Sequence, residues 1–158
     1  KQKTAYEIKE CEWSSDVCSS DLRLAESSFD VSMQLKSLDS RNAERDQAMQ
    51  TADWFDVARY PVATFRTVAF RSTSQGLVAD ADLTIKGRTK RIVFPFQWQP
   101  GTGLATLDAR VSLDRLDFGL GAGEWADDSL VGRRVDVLVH LQLIRPALPP
   151  GSSAAKKK

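Results

Sequence analysis

The chain has 158 residues and 17.5 kDa, of which 42% are hydrophobic and 27% charged, enough for one domain of ordinary size and not for two. Its 22 basic and 21 acidic side chains leave a formal charge of +1, which offers no electrostatic footprint for nucleic acid or an anionic membrane surface. No apolar run approaches the ~18 residues of a membrane-spanning helix, and Cys11, Cys18 and the lone His140 are too few and too badly spaced for a Cys/His metal site or a disulfide framework.

Residues 1–22, KQKTAYEIKECEWSSDVCSSDL, carry a basic tip but no apolar stretch of the kind a signal peptide needs, and no sustained period of 3.6 or 2. They resemble a translated sequencing adapter. Lys1–Ile8 reads as one arm and Ser14–Leu22 as the other in the same frame, with an index-sized gap between them; the one departure is Glu12, where the adapter encodes Asp. The expectation is an artefact fused to a truncated gene, set aside from fold reasoning. Both cysteines go with it, so they carry no information about redox compartment.

From Arg23 onward the pattern is that of strands. Phe29, Val31, Met33 and Leu35 alternate with polar residues, the period of a half-buried strand. Asp39 or Ser40 is positioned to cap a helix from Arg41 to about Gln50, with Glu44 near its positive end, and Tyr60-Pro61 ends the following turn. Further strands are predicted over Val62–Arg71, Leu77–Ile85, Thr89–Trp98, Leu104–Leu113 and Val135–Leu143. Lys86-Gly87 makes a tight turn, and a glycine-rich loop runs from Phe118 to Gly132. Pro95 marks an edge or a bulge, and the tail from 146 to 158 reads as disordered.

Six strands at hairpin-like spacing with one helix between the first and second predict an all-β antiparallel meander barrel, incomplete, with its helix near residues 40–50. Val93 beside Ile92 and Phe94, and Leu138 beside Val137, make some strands apolar on both faces. That suits a barrel with a second apolar cover or an apolar ligand in its lumen; a barrel filled by its own side chains is the plainer alternative.

Asn42, Arg45-Asp46, Asp53-Trp54-Phe55-Asp56-Val57, Tyr60-Pro61 and Thr64-Phe65 follow one another between Asp39 and Phe65. Next come DLTIKGRTK from Asp82 to Lys90, DRLDFGLG from Asp114 to Gly121, and LVGRRVDVLVHLQL from Leu130 to Leu143. Together, over roughly residues 24–145, these segments resemble the YceI family, polyisoprenoid-binding, lipocalin-like proteins of the bacterial periplasm. Trp54 and Met49 stand where the family usually has Phe and Leu. The resemblance implies a lipocalin-like barrel that sequesters or transports an isoprenoid lipid or quinone in the periplasm, without catalysis and with no cofactor besides that ligand. It also implies that a leader, a first strand, a short helix and a second strand are missing here. A homodimer and a membrane redox protein are the candidate partners.

The candidate ligand-lining residues are Phe65, Phe70, Ile85, Phe94, Phe96, Trp98, Val111 and Leu141, with the inward register open. Asn42, Arg45 and Asp46 are either a head-group contact or, as favoured, a structural cap. Trp54, Phe55 and Tyr60 are expected to plug one barrel end. The rival readings are an enzyme of lipid or quinone metabolism using His140 with the acidic loop of Asp114, Asp117, Glu124, Asp127 and Asp128, and a barrel scaffold that mainly contacts a membrane redox protein. Nothing in that loop has calcium-loop spacing, and no nucleophile elbow, phosphate loop, dinucleotide fingerprint or zinc motif occurs.

Overall fold

The computed structural model describes residues 28–101 and 104–144; the expectations for residues 1–22 and for the tail lie outside the described residues. Strands β1 (Asp30–Gln34), β2 (Val62–Thr73), β3 (Gly76–Ile85), β4 (Arg88–Pro100), β5 (Leu104–Asp114) and β6 (Arg134–Ile144) form one antiparallel sheet in sequence order. Short 3₁₀ turns occupy Leu35–Ser37, Arg115–Phe118 and Gly123–Trp125.

The sheet curls into a half-barrel. In a flat sheet β1 and β4 would lie about 14 Å apart, three strand spacings. Yet the ring of Phe29, just ahead of β1, sits 6.2 Å from Phe96 and 6.4 Å from Trp98 on β4, and 5.4 Å from Phe70 on β2. The face these rings share is therefore concave.

A bulge aligns the aromatics of β2. The pairing of β2 with β3 skips Val68 between Thr67 and Ala69, so alternation restarts out of phase. Phe65 and Phe70, five residues apart, would otherwise point to opposite faces. With the bulge both face inward, opposite Leu83 and Ala79, and Val68 is left 52% exposed.

The β3–β4 hairpin turns on Lys86 and Gly87, both at positive φ of 50° and 70°, the conformation of a two-residue turn matched to strand twist. Gly87 is required for a second reason: a Cβ there would stand 2.8 Å from Cε1 of Tyr60. Lys86 Nζ donates to the carbonyls of Ala52 at 2.6 Å and Gly119 at 3.0 Å, tying two loops to this turn.

The helix α1 (Ala43–Gln50) buries none of its residues and is held by its ends. Its cap is Asn42, not Asp39 or Ser40: Asn42 Oδ1 accepts from the Arg45 N–H at 2.9 Å. Asp39 instead accepts from the Arg41 N–H, allowing Arg41 its positive φ of 60°. Glu44 lies in the first turn, as predicted.

β4 and β5 pair only between Phe96–Pro100 and Ala105–Ala109. Pro95 sits where that ladder ends, consistent with its missing N–H.

Candidate functional site

The concave face is apolar across its width. Ala79, Phe94, Phe96 and Leu107 are buried, and Phe65, Phe70, Leu77, Trp98, Val111, Val139, Leu141 and Leu143 pack on them while staying partly exposed. Its two sides differ in character. β2 and β4 supply rings in contact: Phe65–Phe94 at 5.0 Å, Phe70–Phe96 at 5.8 Å, Phe94–Phe96 at 6.4 Å. β5 and β6 supply an aliphatic wall, pairing Ala105 with Leu143, Leu107 with Leu141, Ala109 with Val139 and Val111 with Val137.

Of the eight lining candidates, Phe65, Phe70, Phe94, Phe96, Trp98, Val111 and Leu141 share this face. Ile85 lies apart, toward one end, packed against the buried groups of Leu35, Val57 and Ala63 and of Leu83, Phe118 and Leu120. Trp54 and Phe55 also pack at that end. Phe29, which alternation placed on one face of the first strand, and Phe118, in the loop after β5, were not among the lining candidates.

The convex face is polar. Arg66 pairs with Asp30 at 3.4 Å, Arg71 with Asp80 at 2.7 Å and Arg91 with Asp82 at 2.6 Å. This corrects the expectation of strands apolar on both faces: Val93, opposite Asp80, and Leu138, opposite Arg110, stand on the convex side, 56% and 57% exposed. They are isolated apolar side chains in water, and no second apolar layer covers them among the described residues.

Asp136 is the most heavily bonded carboxylate of this face. The Ser112 hydroxyl donates to it at 2.5 Å, Arg110 at 2.9 Å and Arg134 at 3.3 Å. Those hydrogen bonds, led by Ser112 and Arg110, hold its pKa down at about 2; Asp80 and Asp82 are lowered by Arg71 and Arg91. A carboxylate depressed in the folded state adds stability above its unfolded pKa, near 4, and loses it as pH falls through the folded value. The urea midpoint is therefore expected to drop between about pH 4 and pH 2, and to drop less steeply in Asp136→Asn; identical slopes in the two proteins would refute this.

His140 Nδ1 lies 2.6 Å from Asp108 Oδ1 across the β5–β6 ladder, both on the convex face. Asp114, at the start of the acidic loop, is six residues further along β5, about 20 Å away at strand rise. Asp114 is itself engaged by the Leu116 N–H and Arg133, and Asp117 by Lys90. His140 and the acidic loop are thus not brought together, and no cluster of metal-ligating side chains forms among the described residues.

Asn42, Arg45 and Asp46 are bonded within the start of the helix. Asp46 accepts from the Ser40 N–H at 2.9 Å and from the Ser40 hydroxyl, and Arg45 donates to the Ser40 hydroxyl and carbonyl at 2.9 and 2.7 Å. The cluster ties the helix to its own leading loop.

One buried charge stands out. Arg115 is 3% exposed, and its five N–H donors are all used, on the carbonyls of Leu120, Gly121, Trp125, Val131 and Gly132. Its guanidinium lies 5.7 Å over the Trp54 ring. Gly121, at φ 63°, admits this approach: a Cβ would meet Arg115 Nη1 at 2.7 Å. Arg115 staples the loop after β5 across one end of the half-barrel. Its place in DRLDFGLG was visible in sequence; its burial was not.

A family model described as the YceI-like domain matches residues 7–143. The chain belongs to this family. The match begins inside the adapter-like segment. Among related sequences, a UPF0312 protein of Vibrio cholerae is 34% identical over 117 residues, covering 68% of this chain and 62% of that protein. A UPF0312 protein of Azotobacter vinelandii is 29% identical over 122 residues, covering 73% of this chain and 62% of that protein. The chain thus spans about three fifths of the length of these curated relatives. Among solved structures, Burkholderia cenocepacia BcnA superposes with a TM-score of 0.76 at 26% identity, covering 85% of this chain and 82% of that one. The fold is shared with the Campylobacter jejuni YceI protein (TM-score 0.72, 19% identity, 92% and 94% covered). It is shared as well with a polyisoprenoid-binding domain from Saccharophagus degradans (TM-score 0.61, 17% identity, 75% and 77% covered).

Proposed function

We propose that this protein binds the hydrocarbon chain of an isoprenoid lipid or quinone against its concave face and serves, without catalysis, to sequester or carry it in the periplasm. The observation that carries this reading is the division of the sheet into a polar convex face and a concave face whose large apolar side chains, among them Phe65, Phe70, Trp98 and Leu141, stay partly exposed. Partly exposed apolar surface inside a curl is what a hydrocarbon chain covers at a gain of about 0.8 kcal/mol per CH₂ buried. No charged contact is needed along the chain. Membership of the YceI family, and the shared fold with a domain described as polyisoprenoid-binding, support the choice of an isoprenoid over an unbranched chain. The lipid is a ligand, not a cofactor, and a homodimer or a membrane redox protein acting as its donor or acceptor fits the same reading.

The test is organic extraction of the purified protein followed by mass spectrometry. A co-purifying isoprenoid or quinone in stoichiometric amount is the expected result. A protein that carries none, and takes none up when purified in its presence, sinks the carrier reading.

A further inference from the structure

The two ends of the curled sheet are built differently. At one end Phe118, 2% exposed, packs with Leu83 against Met33, Phe65, Ile92 and Leu113, so that each of β1 to β5 contributes a side chain to its surroundings. β4 and β5 are unpaired at this end, and the turn Arg115–Phe118 fills the wedge between them, with Lys90 and Asp117 3.6 Å apart beside it. At the other end the β2–β3 turn carries the exposed polar residues Ser74 and Gln75. Phe29, just ahead of β1, packs on the aromatic cluster at this end.

We propose that Phe118 is the floor of the lipid site and sets the length of isoprenoid chain that the protein buries completely. Phe118 does this only if a chain lies along the concave face as proposed above. From Leu113, in contact with the floor, to Ala105 near the other end, β5 advances eight residues, about 26 Å. Within that length each added CH₂ is buried and tightens binding about fourfold; beyond it, further groups stay in water and affinity levels off. Arg115 is the positioning residue: its five hydrogen bonds lock the backbone that follows Phe118, so the floor is rigid.

The experiment measures, on the full chain, the affinity of geraniol, farnesol, geranylgeraniol and solanesol by displacement of a fluorescent apolar probe. The wild type is compared with Phe118→Leu, Phe118→Ala and Phe118→Trp. Affinity of the wild type is expected to rise along the series and then level. The plateau moves to a longer alcohol in Phe118→Leu and Phe118→Ala and to a shorter one in Phe118→Trp. Phe118→Leu and Phe118→Trp keep the site filled with apolar atoms, so the result survives if Phe118→Ala does not fold. A plateau unchanged in all variants, or a common loss of affinity for every alcohol, overturns the floor while leaving lipid binding intact. A wild type that binds none of the alcohols overturns the lipid reading, and the floor with it.

Discussion

Arg115→Ala is expected to destabilise the protein by about 3–5 kcal/mol, the cost of leaving several buried carbonyls without their donor. The guanidinium is buried, and each of its five N–H groups ends on a backbone carbonyl between Leu120 and Gly132. Deleting it orphans those carbonyls at about 1–3 kcal/mol for each one water cannot reach, and removes the cation beneath the Trp54 ring. Arg115→Lys is expected to recover only part of the loss, since an ammonium has three donors and no planar fork to span acceptors on both sides of the loop. Urea unfolding followed by tryptophan fluorescence and by circular dichroism measures this, with Trp54 and Trp125, 6.1 Å apart, as local reporters. A loss below about 1 kcal/mol would mean that the loop holds its shape without the staple.

Phe96→Ala is expected to cost about 3–5 kcal/mol, and Val93→Ala, three residues away on the same strand, no more than about 0.5 kcal/mol. Phe96 is 4% exposed and touches the rings of Phe29, Phe70 and Phe94; truncating it leaves a cavity where the curl closes. Val93 is 56% exposed on the convex face and leaves none. The two costs together test the assignment of faces: comparable losses would show that both sides of β4 are packed. The same urea titrations supply both values.

Much of the fold was legible in the sequence because it is local. Period-2 alternation located all six strands to within a few residues, since a half-buried strand must alternate whatever it packs against. Lys86-Gly87 announced its turn by residue type. The helix was foreseen, but its cap was displaced to Asn42: several residues near a helix start can each accept an N–H, and the path of the chain decides which does. The motifs between Asp39 and Leu143 pointed to the family, and seven of the eight lining candidates lie on one face.

What alternation cannot decide is which face that is, and there the tertiary structure had the last word. Phe65 and Phe70 share a side only because the ladder slips at Val68, and a bulge is set by pairing with another strand. Val93 and Leu138 looked like a second apolar face until cross-strand arginines and aspartates lay beside them, pairs such as Arg110 with Asp136 that stand 26 residues apart in sequence. Arg115 reads in sequence as one more surface charge. It becomes the anchor of one end because the loop folds back to bring five carbonyls within reach of a single side chain. Side-chain period is a property of one strand; burial, register and hydrogen-bond closure belong to several segments at once, and only their assembly settles them.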